Sequence, residues 1–210
     1  MTNLKLFHYW RSSCSWRVRW ALAIKRIAFD HQPINLLLGE QRDPAFAKMN
    51  PLSTVPVVHT GQNHFTQSLA ILEWLEETHP TPALLPNNVT DRLRVRQLSL
   101  IIAADTQPLQ NLAAQKYYSS DAHLQKTYAQ HWINKGLHAY ETVARSTAGT
   151  YSMGSQLTMA DLCLIPQCYN ATRFAVDLTC YPTIHRIYKH CLTLPECDQS
   201  APHNQPGAQP

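Results

Sequence analysis

The pattern of apolar and polar positions in the first eighty residues predicts a small mixed sheet covered by helices. Four short apolar-rich runs have strand character, at residues 4–9, 30–37, 54–58 and 64–66. Apolar residues at helical spacing predict helices over residues 15–27 and from Ser68 to a point before Pro80. The predicted order is therefore strand, helix, strand, followed by strand, strand, helix.

A proline-rich connector separates this region from a second one in which every predicted element is helical. Residues 78–88 carry three prolines, which suits an extended linker. We therefore expect two domains, residues 1–84 and 85–210. Helices are predicted over residues 91–117, 122–146, 158–175 and 182–192, with Thr158 and Asp161 resembling a capping box. The tail from about residue 198 has no large apolar groups and is expected to be frayed.

Composition narrows the class of protein. The chain is 44% hydrophobic and 15% charged, as in a globular protein, and its formal net charge of +4 comes from scattered basic residues. This charge favours small anionic substrates and gives no sign of nucleic acid as a partner. The sequence shows neither a signal peptide nor an apolar run of about eighteen residues, so we expect a cytoplasmic protein without a membrane partner. No metal-ligand spacing of histidine and cysteine occurs, so no metal is expected.

The serine-rich run Ser12-Ser13-Cys14 lies where the first strand passes into the first helix. Unpaired amides and a partial positive charge at a helix N-terminus stabilise a thiolate, either that of Cys14 or that of a bound thiol to which Ser12 or Ser13 donates a hydrogen bond. Arg17 shares the helix face of Cys14 and can hold a carboxylate beside the reacting sulfur. The residues alone are also compatible with an ordinary N-cap and a solvated face of arginines.

Two dipeptides add weaker signals. Val55-Pro56 places a proline inside a predicted strand, which marks an edge or a cis bond that turns backbone groups toward a ligand. Gln67-Ser68 begins a helix, where an N-terminal dipole can receive a carboxylate. Taken singly, each has an ordinary structural explanation.

Together these features resemble the zeta class of glutathione transferases, the family of the maleylacetoacetate isomerases. The class signature is the octapeptide Ser12-Ser13-Cys14-Ser15-Trp16-Arg17-Val18-Arg19. Further segments similar to the family follow in order at residues 50–51, 55–56, 67–71, 84–86, 107–112 and 158–162. The resemblance covers residues 4 to about 197. It implies an α/β thioredoxin-like N-terminal domain, an all-α C-terminal domain, glutathione as the cofactor and a homodimer.

The resemblance also implies roles for individual residues. Ser12, Ser13 and Cys14 would face the glutathione sulfur, Val55 would pair its backbone with the tripeptide, and Gln67 and Ser68 would hold its γ-glutamyl end. The remaining glutathione contacts would come from Gln41, Gln107 and Asn111. The chain departs from the family at Ala113, where a serine is common, and in the loop around Gly39, whose length varies.

Two arginines are candidates for the substrate carboxylate or enolate. They are Arg17 and Arg173, of which Arg173 is equally compatible with a surface salt bridge. Cys14 can assist the reaction, form a mixed disulfide with glutathione, or simply fill the loop.

The implied activity is glutathione-dependent cis-trans isomerisation of maleylacetoacetate to fumarylacetoacetate, a step of aromatic amino acid catabolism. Three alternatives remain open at this point: isomerisation of maleylpyruvate, transfer of glutathione to small α-halo acids, and non-catalytic glutathione binding. A thioredoxin-type redox protein is disfavoured because no Cys-x-x-Cys follows the first strand.

Overall fold

A computed structural model describes residues 4–208 of the chain. These residues divide into two compact units, one formed by the chain up to Pro82 together with the segment from Leu194, the other by Ala83–Thr193. The division lies close to the expected boundary at residues 84 and 85. Residues 1–3, at the start of the first predicted domain, and residues 209–210, at the end of the second, lie outside the described part.

The strands and the longer helices follow the predicted order, and all strands among residues 4–208 lie in the first unit. The strands are β1 Lys5–His8, β2 Asp30–Pro33, β3 Val57–His59 and β4 His64–Thr66. The α-helices of the described residues are α1 Ser13–Ile24, α2 Pro44–Met49, α3 Ser68–Thr78, α4 Val89–Ala103, α5 Leu112–Tyr118, α6 Ala122–Ala144, α7 Met159–Arg173, α8 Pro182–Cys191 and α9 Pro195–Ser200. The expectation of an α/β unit plus an all-helical unit is confirmed.

The sheet has the order β2-β1-β3-β4. Strand β1 runs parallel to β2 and antiparallel to β3, and β3 pairs antiparallel with β4. A parallel pair requires a crossover, which α1 supplies between β1 and β2. The same topology places the N-terminus of α1 directly after the end of the central strand β1.

Three local predictions differ from the structure. Strand β2 ends at Pro33, because the Asn35 side chain accepts hydrogen bonds from the amides of Leu37 and Leu38 and turns the chain. The short helix α2 was not predicted, although Asp43 caps it and Pro44 begins it. The predicted helix over residues 91–117 is two helices, α4 and α5, separated by a segment that contains Pro108.

The tail prediction was wrong for the residues that the structure describes. The segment from Leu194 contains α9 and belongs to the first unit, and Ser200 is 2% exposed. Two hydrogen bonds join it to α1: the Trp16 indole donates to Ser200 Oγ at 3.0 Å, and Arg19 Nε donates to the Ser200 carbonyl at 3.0 Å. The composition of the segment gives no sign of these long-range hydrogen bonds, which is why it suggested fraying.

The fully buried His8 on β1 is kept neutral by its surroundings. Its Nδ1 lies 3.3 Å from Arg19 Nη1, and because arginine only donates, this nitrogen must accept. The other ring nitrogen, Nε2, therefore carries the proton and donates to His31 Nδ1 at 3.1 Å. Burial, the Arg19 charge and His31 together lower the pKa of His8 to about 3.

This lowered pKa predicts a loss of stability in mild acid. Unfolding restores the ordinary pKa of about 6.5, so between pH 6.5 and 3 the unfolded chain binds the extra proton. From pH 7 to pH 5 we expect His8 to remove about 2 kcal/mol of unfolding free energy. Urea unfolding at both pH values should show this loss in the wild type and a smaller one in His8→Gln. The exposed His138 on α6 provides the control His138→Gln; equal pH slopes for the wild type and His8→Gln would contradict the assignment.

The second unit is built around α7, most of which is buried. The predicted capping box is present at its start: Asp161 Oδ2 accepts from the Thr158 amide at 2.8 Å and from the Thr158 hydroxyl at 3.1 Å. Asp161 Oδ1 accepts from the Ser152 amide at 2.8 Å, so this carboxylate also fixes the preceding loop. Among residues 4–208, each helix is too short or too polar to cross a bilayer.

Candidate active site

The serine-rich run forms the beginning of α1. Ser12 is the N-cap, and its Oγ accepts from the Ser15 amide at 3.2 Å, which leaves the hydroxyl proton able to donate elsewhere. Ser13 and Cys14 are the first two residues of the helix and are partly exposed. Their amides lie in the first turn of α1, at the end where backbone N–H groups point out of a helix. The run therefore presents hydroxyl, thiol and amide groups together at the positive end of α1.

Arg17 connects this run to α3. It is 1% exposed, and its Nη1 donates to Ser68 Oγ at 3.1 Å and approaches Cys14 Sγ at 3.7 Å. The other two guanidinium nitrogens, Nε and Nη2, are buried without a hydrogen-bond partner, and within the described residues no carboxylate pairs with Arg17. The predicted proximity to Cys14 is present. Its direct contact with a substrate carboxylate stays a prediction, since the described partners of the guanidinium are Ser68 Oγ and Cys14 Sγ.

The two dipeptides lie next to each other. Strand β3 begins at Val57, which pairs with Thr66 at the end of β4. Val55 and Pro56 are joined by a cis peptide bond, and continuing this antiparallel register places Pro56 opposite Gln67 and Val55 opposite Ser68. Gln67 is the N-cap of α3 with φ of 67°, an uncommon left-handed conformation for a residue other than glycine, and its side chain is exposed.

Gln41 is the least constrained of the candidates in this unit. It lies in a short 3-10 turn, Glu40–Arg42, between β2 and α2. Its Oε1 is buried and has no hydrogen-bond partner. An unsatisfied amide oxygen fits a ligand that donates a hydrogen bond, but no contact ties Gln41 to the serine-rich run, so its role stays a prediction.

The remaining candidates belong to the second unit. Gln107 and Asn111 lie in the segment between α4 and α5, where the Asn111 side chain caps α5 by accepting from the Leu112 amide at 2.7 Å. Arg173 is the exposed last residue of α7, and its Nη1 donates to Asn170 Oδ1 at 2.9 Å. Sequence reasoning missed Asn170, although an asparagine three residues before an arginine on one helix was a usable signal.

Comparison with known proteins identifies the family. Residues 11–78 match the family model of the glutathione S-transferase N-terminal domain, and residues 105–198 match that of the C-terminal domain. The chain belongs to the glutathione S-transferase family. This transferase is 43% identical to the maleylacetoacetate isomerase of Dictyostelium discoideum, over 98% of this chain and 96% of that one.

Similarity to a solved zeta-class structure places the transferase in that class, and a second solved structure is similar over almost the whole chain. A maleyl pyruvate isomerase, described as a bacterial zeta-class glutathione S-transferase, has a TM-score of 0.94 and 38% identity over 98% of this chain and all of its own. The maleylacetoacetate isomerase of Anaeromyxobacter dehalogenans, solved with bound glutathione, has a TM-score of 0.90 and 42% identity over 99% and 98% of the two chains. The predicted class is thereby confirmed.

The groups in the first unit of this transferase fit glutathione chemically. A thiolate and two carboxylates make glutathione an anion, and the candidate residues present a buried cation, two helix N-termini and serine hydroxyls. The unpaired nitrogens of Arg17 show that the positive charge of this site has no compensating carboxylate among the described residues. An anion bound beside Cys14 and Ser68 would supply the missing negative charge.

Proposed function

We propose that this protein is a glutathione-dependent cis-trans isomerase that converts maleylacetoacetate to fumarylacetoacetate. The observation that carries the proposal is the buried guanidinium of Arg17, which contacts both Cys14 at the α1 terminus and Ser68 at the α3 terminus. In a zeta-class chain, this arrangement suits a bound thiolate. The first unit would bind glutathione, and the helical second unit would bind the substrate.

In the proposed complex each residue has a distinct task. The backbone of Val55 lies before β3 and outside its ladder, so it can pair with the glutathione backbone. Gln67 and Ser68 would receive the γ-glutamyl end at the N-terminus of α3. The hydroxyl of Ser12 or Ser13 would donate to the sulfur, while the α1 terminus and the Arg17 charge favour its ionised form.

The chemistry that glutathione supplies when bound is a thiolate that adds to the maleyl double bond and later leaves, so that rotation about the intervening single bond converts cis to trans. The protein keeps this nucleophile ionised at neutral pH and holds the developing enolate by positive charge and amides. Arg173 would bind the substrate carboxylate from the second unit, with Gln107 and Asn111 completing the glutathione contacts.

The substitutions Ser13→Ala and Cys14→Ala test which group serves the sulfur. We expect Ser13→Ala to lower kcat for maleylacetoacetate by about 100-fold, as loss of a donor to a reacting anion does, and Cys14→Ala to lower it by less than about tenfold. Steady-state kinetics with and without glutathione measure both. Ser120→Ala, at an exposed serine in the second unit, is the control. Wild-type activity of Ser13→Ala together with an inactive Cys14→Ala would show that the sulfur partner is assigned to the wrong residue.

The substrate itself needs a direct comparison. Similarity to a maleyl pyruvate isomerase makes maleylpyruvate the second candidate substrate, and small α-halo acids need the same thiolate and anion site. The purified protein should be assayed with maleylacetoacetate, maleylpyruvate and dichloroacetate, each with and without glutathione. Retention on immobilised glutathione without turnover of any of the three would instead indicate a non-catalytic glutathione-binding protein.

The proposal includes a homodimer in the cytoplasm that acts on small anionic substrates. Support for the dimer comes from the family resemblance, and support for anionic substrates comes from the net charge of +4. Light scattering of the purified protein distinguishes a dimer from a monomer.

A further inference from the structure

Three buried amide side chains in the second unit form a directional chain of hydrogen bonds that begins at Arg173. Arg173 Nη1 donates to Asn170 Oδ1 at 2.9 Å, and Asn170 Nδ2 donates to Gln110 Oε1. Gln110 Nε2 in turn donates to Gln167 Oε1 at 3.3 Å. The exposed fractions of Gln110, Gln167 and Asn170 are 3%, 0% and 8%, so the chain runs through the interior from the exposed guanidinium.

The middle member of this amide chain belongs to the segment between α4 and α5. Gln110 lies between Gln107 and Asn111, the two residues of this unit proposed to contact glutathione. Its backbone is held as well, because Gln115 Nε2 donates to the Gln110 carbonyl at 2.6 Å. The side chain of Gln110 therefore links the segment that carries those two residues to the helix that carries Arg173.

Stability alone does not account for the amide chain. Burying amides in place of apolar groups is unfavourable unless every donor and acceptor is satisfied. Gln167 Nε2 is buried without a hydrogen-bond partner, at a cost of about 1–3 kcal/mol. Apolar side chains would fill the same space with less penalty, so a role in orienting the exposed end accounts better for these residues.

We propose that Asn170 and Gln110 are positioning residues that orient the Arg173 guanidinium for an anionic substrate. Asn170 is one helical turn before Arg173, so its Oδ1 restricts where the guanidinium can lie. Gln110 restricts Asn170 in the same way. This inference rests on the proposed function, because Arg173 is there assigned to the substrate carboxylate.

A double-mutant cycle tests whether Asn170 acts through Arg173. We expect Asn170→Ala to lower kcat/KM for maleylacetoacetate by about tenfold, mainly through KM, and Arg173→Ala to lower it by about 100-fold. The double variant should be no worse than Arg173→Ala, because nothing remains to be oriented. The KM for glutathione should change by less than about twofold in Asn170→Ala. Gln110→Leu should resemble Asn170→Ala, and Thr172→Ala, an exposed position on the same helix, is the control.

Additive losses in the double variant, or wild-type kinetics in Asn170→Ala, would overturn the proposal. If Asn170→Ala does not fold, as judged by its thermal midpoint, Asn170→Ser completes the same cycle. Calorimetric binding of malonate in the presence of glutathione repeats the cycle without turnover. A wild type that binds malonate through Arg173 but does not isomerise maleylacetoacetate would refute the proposed function and leave the positioning role standing. A wild type that isomerises maleylacetoacetate but gives an additive cycle would refute the positioning role and leave the proposed function standing.

Discussion

Replacing Arg17 with leucine is expected to weaken glutathione binding by about 10- to 100-fold while leaving the free energy of unfolding unchanged or higher. Its Nη1 is within 3.1 Å of Ser68 Oγ and 3.7 Å of Cys14 Sγ, so the charge lies between the two helix termini proposed to hold the ligand. Losing a buried charged donor to an anionic ligand has a cost of this order. In the unliganded protein, however, removing a buried charge that lacks a carboxylate partner is neutral or stabilising.

Weaker glutathione binding without a loss of unfolding free energy distinguishes a binding role of Arg17 from a structural one. Calorimetry with glutathione and urea unfolding should be carried out on Arg17→Leu and on Ser68→Ala, which removes the hydrogen-bond acceptor. Arg26→Gln, at an exposed arginine after the end of α1, is the control for charge alone. Unchanged glutathione affinity in Arg17→Leu, combined with a clear loss of stability, would show that Arg17 merely joins α1 to α3.

The parts of the fold that were predicted correctly are those with a local signal. Alternating and helical periodicity located β1, β4, α1 and α3, and the Thr158 and Asp161 pair marked the start of α7. The tail was misjudged because Ser200 is held by donors from Trp16 and Arg19, far away in sequence. Such long-range polar contacts leave no periodic pattern in the segment that receives them.

The candidate site also contains features that were predictable from local sequence and features that depend on long-range packing. The position of Ser12 as N-cap and the approach of Arg17 to Cys14 follow from helix geometry alone, and both were predictable. The burial of Arg17 was not, since it depends on the packing of α3 against α1. The spacing of Asn170 from Arg173 was the one local signal for the amide chain, and the contact of Asn170 with Gln110 was not predictable, because almost every position of α7 is buried and its sequence therefore has no polar face.

Replacing Asp161 with alanine is expected to lower the free energy of unfolding by about 3–5 kcal/mol, since it leaves buried donors without acceptors. Both carboxylate oxygens are used: Oδ1 accepts from the Ser152 amide, and Oδ2 accepts from the amide and hydroxyl of Thr158. Burial raises the pKa of Asp161, and the hydrogen bonds from Ser152 and Thr158 oppose this. Asp161→Asn carries no charge to desolvate but turns an amide donor toward Thr158, so we expect a smaller loss of about 2 kcal/mol.

Asp121 provides a control because it is an exposed carboxylate that also accepts hydrogen bonds from backbone amides at the start of a helix, here as the N-cap of α6. Its Oδ1 accepts from the amides of His123 and Leu124 at 2.8 and 2.9 Å, yet its loss in Asp121→Ala should lower stability by only about 1 kcal/mol. Urea unfolding at pH 7 compares Asp161→Ala, Asp161→Asn and Asp121→Ala, provided that all three show the same dependence of unfolding free energy on urea concentration. If Asp161→Ala costs no more than Asp121→Ala, then burial adds nothing to this cap, and the loop at Ser152 must be held by other contacts, such as the bond of 2.7 Å between Tyr140 and Ser152.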